Sequence, residues 1–183
     1  EKIKYMFPKA HAAAYVTNAF RIAWFKVHIP LAYYAAYYSI RAKAFDAQYM
    51  IFGKEKVKNK MKEIEIKNQK KEATKAELDM YDDLEIVLEM YERGFEFLPV
   101  DLYKSEATKF TIEDEKLRPP LNSIPGFGSV AAQGIVEARK DGKFMSIDDL
   151  KIRAKIGTSG ADLLKQFGCL DGMSQSNQLS LFG

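Results

Sequence analysis

A mainly α fold with one small β element and a flexible C-terminal tail is predicted by three features of the sequence. From Ala10 to Val27, and again from Ala76 to Arg93, the chain has neither Gly nor Pro and spaces bulky apolar residues by threes and fours, the period of a helix face. Alternation with a period of two is confined to "FEFLPVDL" (95–102) and "KFTIED" (109–114), which read as short strands. The last ten residues, "SQSNQLSLFG", open polar and carry no such pattern.

The elements follow in order. A helix spans 10–27. Pro30 in "HIPLAYY" suits the first turn of a second helix, from Leu31 to about Lys43. A third runs from about Phe45 to Phe52 and stops at Gly53. Residues 54–75 are strongly polar and read as an exposed helix or a mobile insertion. An amphipathic helix over 76–93 puts Leu78, Tyr81, Ile86, Leu88 and Met90 near its apolar side and ends at Gly94. After the strands, "RPPLNSIPGFG" is rigid punctuation. Short helices are expected at 129–140, 146–154 and 159–167, and the chain after Asp171 reads as a tail.

Composition narrows the function. The opening "EKIKYMFPKAH" does not read as a natural start, so the 183 residues are expected to be a piece of something longer. A single cysteine, Cys169, excludes a disulfide framework. With only His11 and His28 beside it, no protein-built metal site is expected. The single cysteine fits a reducing, cytoplasmic setting, and the apolar run "LAYYAAYYSI" is too short to span a bilayer. Charge is segregated: seven Lys/Arg against two acids in 1–52, nine Lys against five Glu in 54–78, then seven acids against one Arg in 79–96. Such segregation suggests a face that meets a polyanion; a solvated face is the plainer reading for 54–78.

The most informative stretch is "SIPGFGSVAAQGIVEAR", Ser123 to Arg139. Pro125-Gly126-Phe127-Gly128 makes a tight hairpin, and Ser129 opens a helix with Val130, Ala131, Ile135, Val136 and Ala138 as its packing face. Unpaired N–H groups at a helix N-terminus hold anions, and glycines let a phosphate sit directly on the backbone. The stretch resembles the helix-hairpin-helix DNA-binding motif, with a leading helix cut to about one turn by Pro119 and Pro120. A degenerate second copy follows at 156–171, its Gly157-Thr158-Ser159-Gly160 turn serving either phosphate contact or packing alone. DNA-contacting candidates are Gly126, Phe127, Gly128 and Ser129, with Lys140, Lys143 and Lys151 adding charge.

"FPKAHAAAYV", Phe7 to Val16, sets Lys9, His11 and Tyr15 around a helix start, with His11 and Tyr15 four apart on one face. This segment, the hairpin stretch and the terminal "QLSLF" are similar, in the same order, to the C-terminal part of the replicative DNA polymerase III α subunit of Gram-positive-type bacteria, the PolC family. The resemblance covers essentially the whole chain. It implies a helical fingers region over 1–116, a tandem helix-hairpin-helix module that binds duplex DNA over 117–172, and a flexible clamp-binding tail over 173–183. It also implies that Lys9, His11 and Tyr15 lie near the incoming deoxynucleoside triphosphate. Gln178, Leu179, Leu181 and Phe182 would engage the sliding clamp, the apolar pair filling a pocket and Gln178 bonding at its rim.

The resemblance further implies a parent DNA-directed DNA polymerase in the cytoplasmic, nucleoid-associated replisome, with primer-template DNA as its partner and Mg²⁺ held by palm carboxylates. No Asp-x-Asp pair on a strand occurs here, so the Mg²⁺ ligands are expected outside this chain and the chain itself is expected to catalyse nothing. The readings that compete are a free-standing helix-hairpin-helix DNA-binding or repair module, which leaves "FPKAHAAAYV" unexplained, and a scaffold that uses only its tail.

Overall fold

In a computed structural model, which describes residues 8–176, the chain is mainly helical with one two-stranded sheet. Helix α1 (Lys9–His28) leads through Ile29 into α2 (Pro30–Ile40), whose Pro30 sits at the first helical position as expected. Helix α3 is a single turn (Ala47–Met50), N-capped by Asp46, whose carboxylate accepts from the Gln48 N–H. Helices α4 (Lys54–Gln69) and α5 (Lys75–Glu92) pack against each other as a helical hairpin.

Most of the polar run 54–75 is therefore an ordered helix, 54–69, followed by a short turn into α5. Val57 and Ile64 of α4 are fully buried, opposite Leu84, Val87 and Met90 of α5 in the same core. Lysines flank this seam and meet the acids of α5: Lys54 and Lys58 pair with Glu92, and Lys67 with Glu77 at 2.6 Å. A capping box starts α5, with Thr74 Oγ1 accepting from the Glu77 N–H and Glu77 accepting from the Thr74 N–H. The basic segment meets the acidic one at Glu92, through Lys54 and Lys58, while Lys67 pairs within its own segment. Leu78, expected on the apolar side, is exposed, and Asp83 takes a buried place. Its carboxylate accepts from the Lys43 and Ala44 N–H groups at 2.9 and 2.8 Å and so pins the loop after α2.

The sheet is smaller than predicted. Strands β1 (Thr111–Glu113) and β2 (Lys116–Arg118) pair antiparallel, with Thr111 opposite Arg118. Asp114 and Glu115 both have positive φ between them, the mark of a two-residue hairpin turn. Of 95–102, only Phe97 forms a bridge, to Leu117; Pro99 prevents that segment from donating a continuous ladder. The expected boundary between 116 and 117 falls inside β2, and one hydrophobic core runs across it, from Tyr34 and Tyr38 through Leu117 and Leu121 to Ile135, Leu150 and Leu164.

After a 3₁₀ turn at Leu121–Ser123, the single abbreviated turn anticipated before the hairpin, come α6 (Ser129–Ala138), α7 (Ile147–Ala154) and α8 (Thr158–Gln166). A second 3₁₀ turn, Arg139–Asp141, ends α6. Gly134 permits the close approach of α6 and α7: a Cβ there would stand 2.5 Å from the Ala154 carbonyl oxygen. The first residues of the expected tail are held in place. The Ile147 and Asp148 N–H groups donate to the Ser174 and Gln175 carbonyls, and Met173 is partly buried. Among the described residues no helix is long and apolar enough to cross a membrane.

Candidate nucleic-acid interface

Two hairpins of like geometry face each other. In the first, Gly126 has φ +78°, Phe127 is buried, and Gly128 is the N-cap of α6. In the second, Lys155 has φ +54°, Ile156 is buried, and Gly157 is the N-cap of α8. The correspondence continues at one constant offset: Ala132 and Ala161 are buried four residues past each cap, and Ile135 and Leu164 are buried three further on. The second turn is thus 154–157, and Thr158-Ser159-Gly160, read from sequence as part of the turn, is already the first turn of α8. The hairpins pack reciprocally. A Cβ on Gly160 would meet the Phe127 ring at 3.4 Å, and one on Gly126 would meet Leu163 at 3.5 Å.

The two caps share an unusual property. Neither Gly128 nor Gly157 has a positive φ, and a Cβ at either would find nothing within 4 Å. Neither backbone conformation nor a protein neighbour demands glycine at these positions. No side chain caps α6 or α8, and Ser129, Val130, Thr158 and Ser159 are exposed at their starts. Helix α7, which lies between them in sequence, is treated differently. Ser146 accepts from its Asp149 N–H, and the chain at 174–175 takes its Ile147 and Asp148 N–H groups. Within this region the starts of α6 and α8, unlike that of α7, are left without a side-chain cap, and each presents N–H dipoles to solvent, where an anion is stabilised.

Several predicted contacts need correction. Phe127 is 4% exposed and its N–H donates to Ile124 at 3.0 Å, so it braces the hairpin and has neither ring nor amide free for DNA. Val130, expected to pack, is instead 89% exposed at the open helix start. Lys140 and Lys143 follow the other end of α6, about 15 Å along the helix from its N-terminus. Lys140 is also engaged, its ammonium 2.6 Å from Glu137, whose carboxyl it holds below the usual range. Lys151 pairs with Asp148 at 3.7 Å. The lysine that does occupy a hairpin is Lys155, exposed at its left-handed position. Its only sequence signal was the repeat itself: it stands where the first copy has Gly126.

At the other end of the chain, α1 starts after Pro8 with no side-chain cap and no acid in its first turn. Lys9 and His11 are exposed there, and the His11 and Tyr15 rings meet edge to face at 4.5 Å. That pairing agrees with their predicted common face. A cation at a helix N-terminus opposes the helix dipole, and a bound anion would relieve it. Gln178, Leu179, Leu181 and Phe182 lie outside the described residues. Among the described residues no group of three or more His, Cys, Asp or Glu side chains could hold a metal ion. Burial pushes the Cys169 thiol up to about 12, which keeps it an unreactive thiol.

Residues 94–179, a span that includes both hairpins, match the family described as "Helix-hairpin-helix motif". The chain is 51% identical over 182 residues to the "DNA polymerase III PolC-type" of Caldanaerobacter subterraneus subsp. tengcongensis, covering 100% of this chain and 13% of that protein. It is 50% identical over 183 residues to the protein of that name in Clostridium perfringens, and 51% over 181 residues to that of Streptococcus sanguinis. Those matches cover 100% and 99% of this chain but 12% of each relative.

Proposed function

This chain belongs to the PolC-type DNA polymerase III family, and on that premise we propose that it is the part of a replicative DNA polymerase that grips duplex DNA by its backbone. The observation that carries the proposal is the pair of glycine caps, Gly128 and Gly157, kept free of a side chain where the fold gives no reason for it. Each leaves the following helix start open to a phosphate, and two such turns packed together suit two points on a duplex. Backbone N–H groups that meet phosphate read no base edge, so the grip is independent of sequence. Lys155 adds a charge at the second turn.

In this reading Lys9 and His11 hold the triphosphate of the incoming nucleotide, and Tyr15, one turn on, lies beside its base or sugar. Gln178, Leu179, Leu181 and Phe182 form a peptide for the sliding clamp. Mg²⁺ would supply Lewis-acid chemistry for phosphoryl transfer in the parent enzyme. In this reading its carboxylate ligands lie in another part of the parent enzyme, and the isolated chain positions substrates without catalysing their reaction. The match to PolC-type relatives over the whole of this chain favours this reading over a free-standing repair module.

The test is fluorescence anisotropy of the chain on several unrelated duplexes over a salt series. Similar affinities on all of them are expected, with log K falling linearly with log salt and a slope of about −0.9 per phosphate contacted. A strong preference for one duplex sequence would refute the backbone grip.

A further inference from the structure

Helix α1 is twenty residues long and none of them is buried. Its large apolar side chains form two stripes. Ile22 and Phe25, with Ile29 just past the helix end, face α2 and, with Ala36, Tyr37 and Ile40, line an open apolar groove of about 710 Å³. Phe20, Trp24 and Val27 lie on another side at a spacing of four and three, 73%, 54% and 65% exposed. The polar anchors of α1 on the rest of the fold sit at its C-terminal end. Lys26 pairs with Glu89, and its carbonyl accepts from Arg93 at 2.9 Å. A helix with apolar residues on more than one side is one that becomes buried, and a continuous exposed apolar surface of this kind marks an interface.

We propose that the α1–α2 groove is an interface within the polymerase polypeptide, filled by an apolar element from the part of the chain outside the segment matched here. Three considerations select that occupant. The relatives are far longer, since this chain spans only 12–13% of them, so most of the polypeptide is outside the structure. The groove is lined mostly by apolar side chains and the rings of Tyr33 and Tyr37, with Arg41 as its one charged residue, which suits a protein side chain and gives nucleic acid phosphates a single cation. Exposure on two sides of α1 calls for permanent cover, because a transient partner would leave both stripes in water between encounters. The inference rests on family membership and on the groove, and is independent of how DNA is held.

The test uses the full-length polymerase. Ile40, 78% exposed on the groove's rim, is replaced by p-benzoylphenylalanine, and the irradiated, dilute protein is digested and mapped by mass spectrometry. The expected product joins residue 40 to one apolar peptide of the same polypeptide outside this segment, in a yield independent of protein concentration and of DNA. A crosslink to a second copy that grows with concentration, a crosslink to DNA, or no protein crosslink would each overturn the proposal. A second variant, Ala36→Glu, places a charge in the groove at an exposed position. It should speed proteolysis within α1 of the full-length enzyme about tenfold, and an unchanged rate would also count against the interface.

Discussion

At the scale of single residues, the two hairpins differ most at one backbone position. Gly126 takes a left-handed conformation at little cost, whereas Lys155 takes the same conformation at roughly 1–2 kcal/mol, the penalty for a side chain there. Replacing Lys155 with Gly removes strain and removes a charge. The expected result is an unchanged or slightly raised melting temperature, combined with weaker duplex binding and a salt slope smaller in magnitude by about 0.9. An unaltered salt slope would make Lys155 a turn residue only. Sequence reasoning passed over this lysine because lysine is not a turn former, and the Gly-Thr-Ser-Gly run three residues on drew the turn to itself. It also assigned Phe127 a DNA contact from its place in the motif, although a Phe between two glycines has a whole ring to bury and takes the core.

At the scale of elements, helix periodicity made α1, α2 and α5 legible from the sequence, and the Pro-Gly-x-Gly hairpin made the start of α6 legible. Helix α4 was legible only as one of two alternatives, because its stability is tertiary. Its mean hydropathy is polar, and its order comes from Val57 and Ile64 seated on α5 and from ion pairs that no local pattern announces. Glu77 joins both devices: Lys67 first, then the Thr74 cap, lower its carboxyl to about 2. A carboxyl lowered in the folded state contributes stability above its unfolded value, near 4.5, and that contribution is lost as the pH falls toward 2. The melting-temperature difference between the wild type and Glu77→Gln should therefore be present at pH 6 and shrink to nothing as the pH is lowered from about 4.5 to 2. A difference that does not change with pH would mean that the charge of Glu77 does not contribute.

At the scale of the whole molecule, one core joins the two regions that sequence reasoning divided at residue 116, and the tail begins later than expected because 174–175 close the start of α7. Truncation after Ser176 should leave the melting temperature unchanged and abolish binding of the chain to the sliding clamp, followed by calorimetry. Retained clamp binding would dismiss the 178–182 peptide, and truncation after Gly172 should cost stability in addition. The central claim is that the glycine caps keep space for phosphate, and it is tested most directly by the double variant Gly128→Val, Gly157→Val. Both sites have φ values that valine adopts and no protein atom within 4 Å of the new Cβ. Duplex affinity by fluorescence anisotropy, measured beside thermal melting of the same sample, should fall at least tenfold while the melting temperature stays within a few degrees of wild type. A folded double variant that binds duplex DNA as tightly as the wild type would contradict the account.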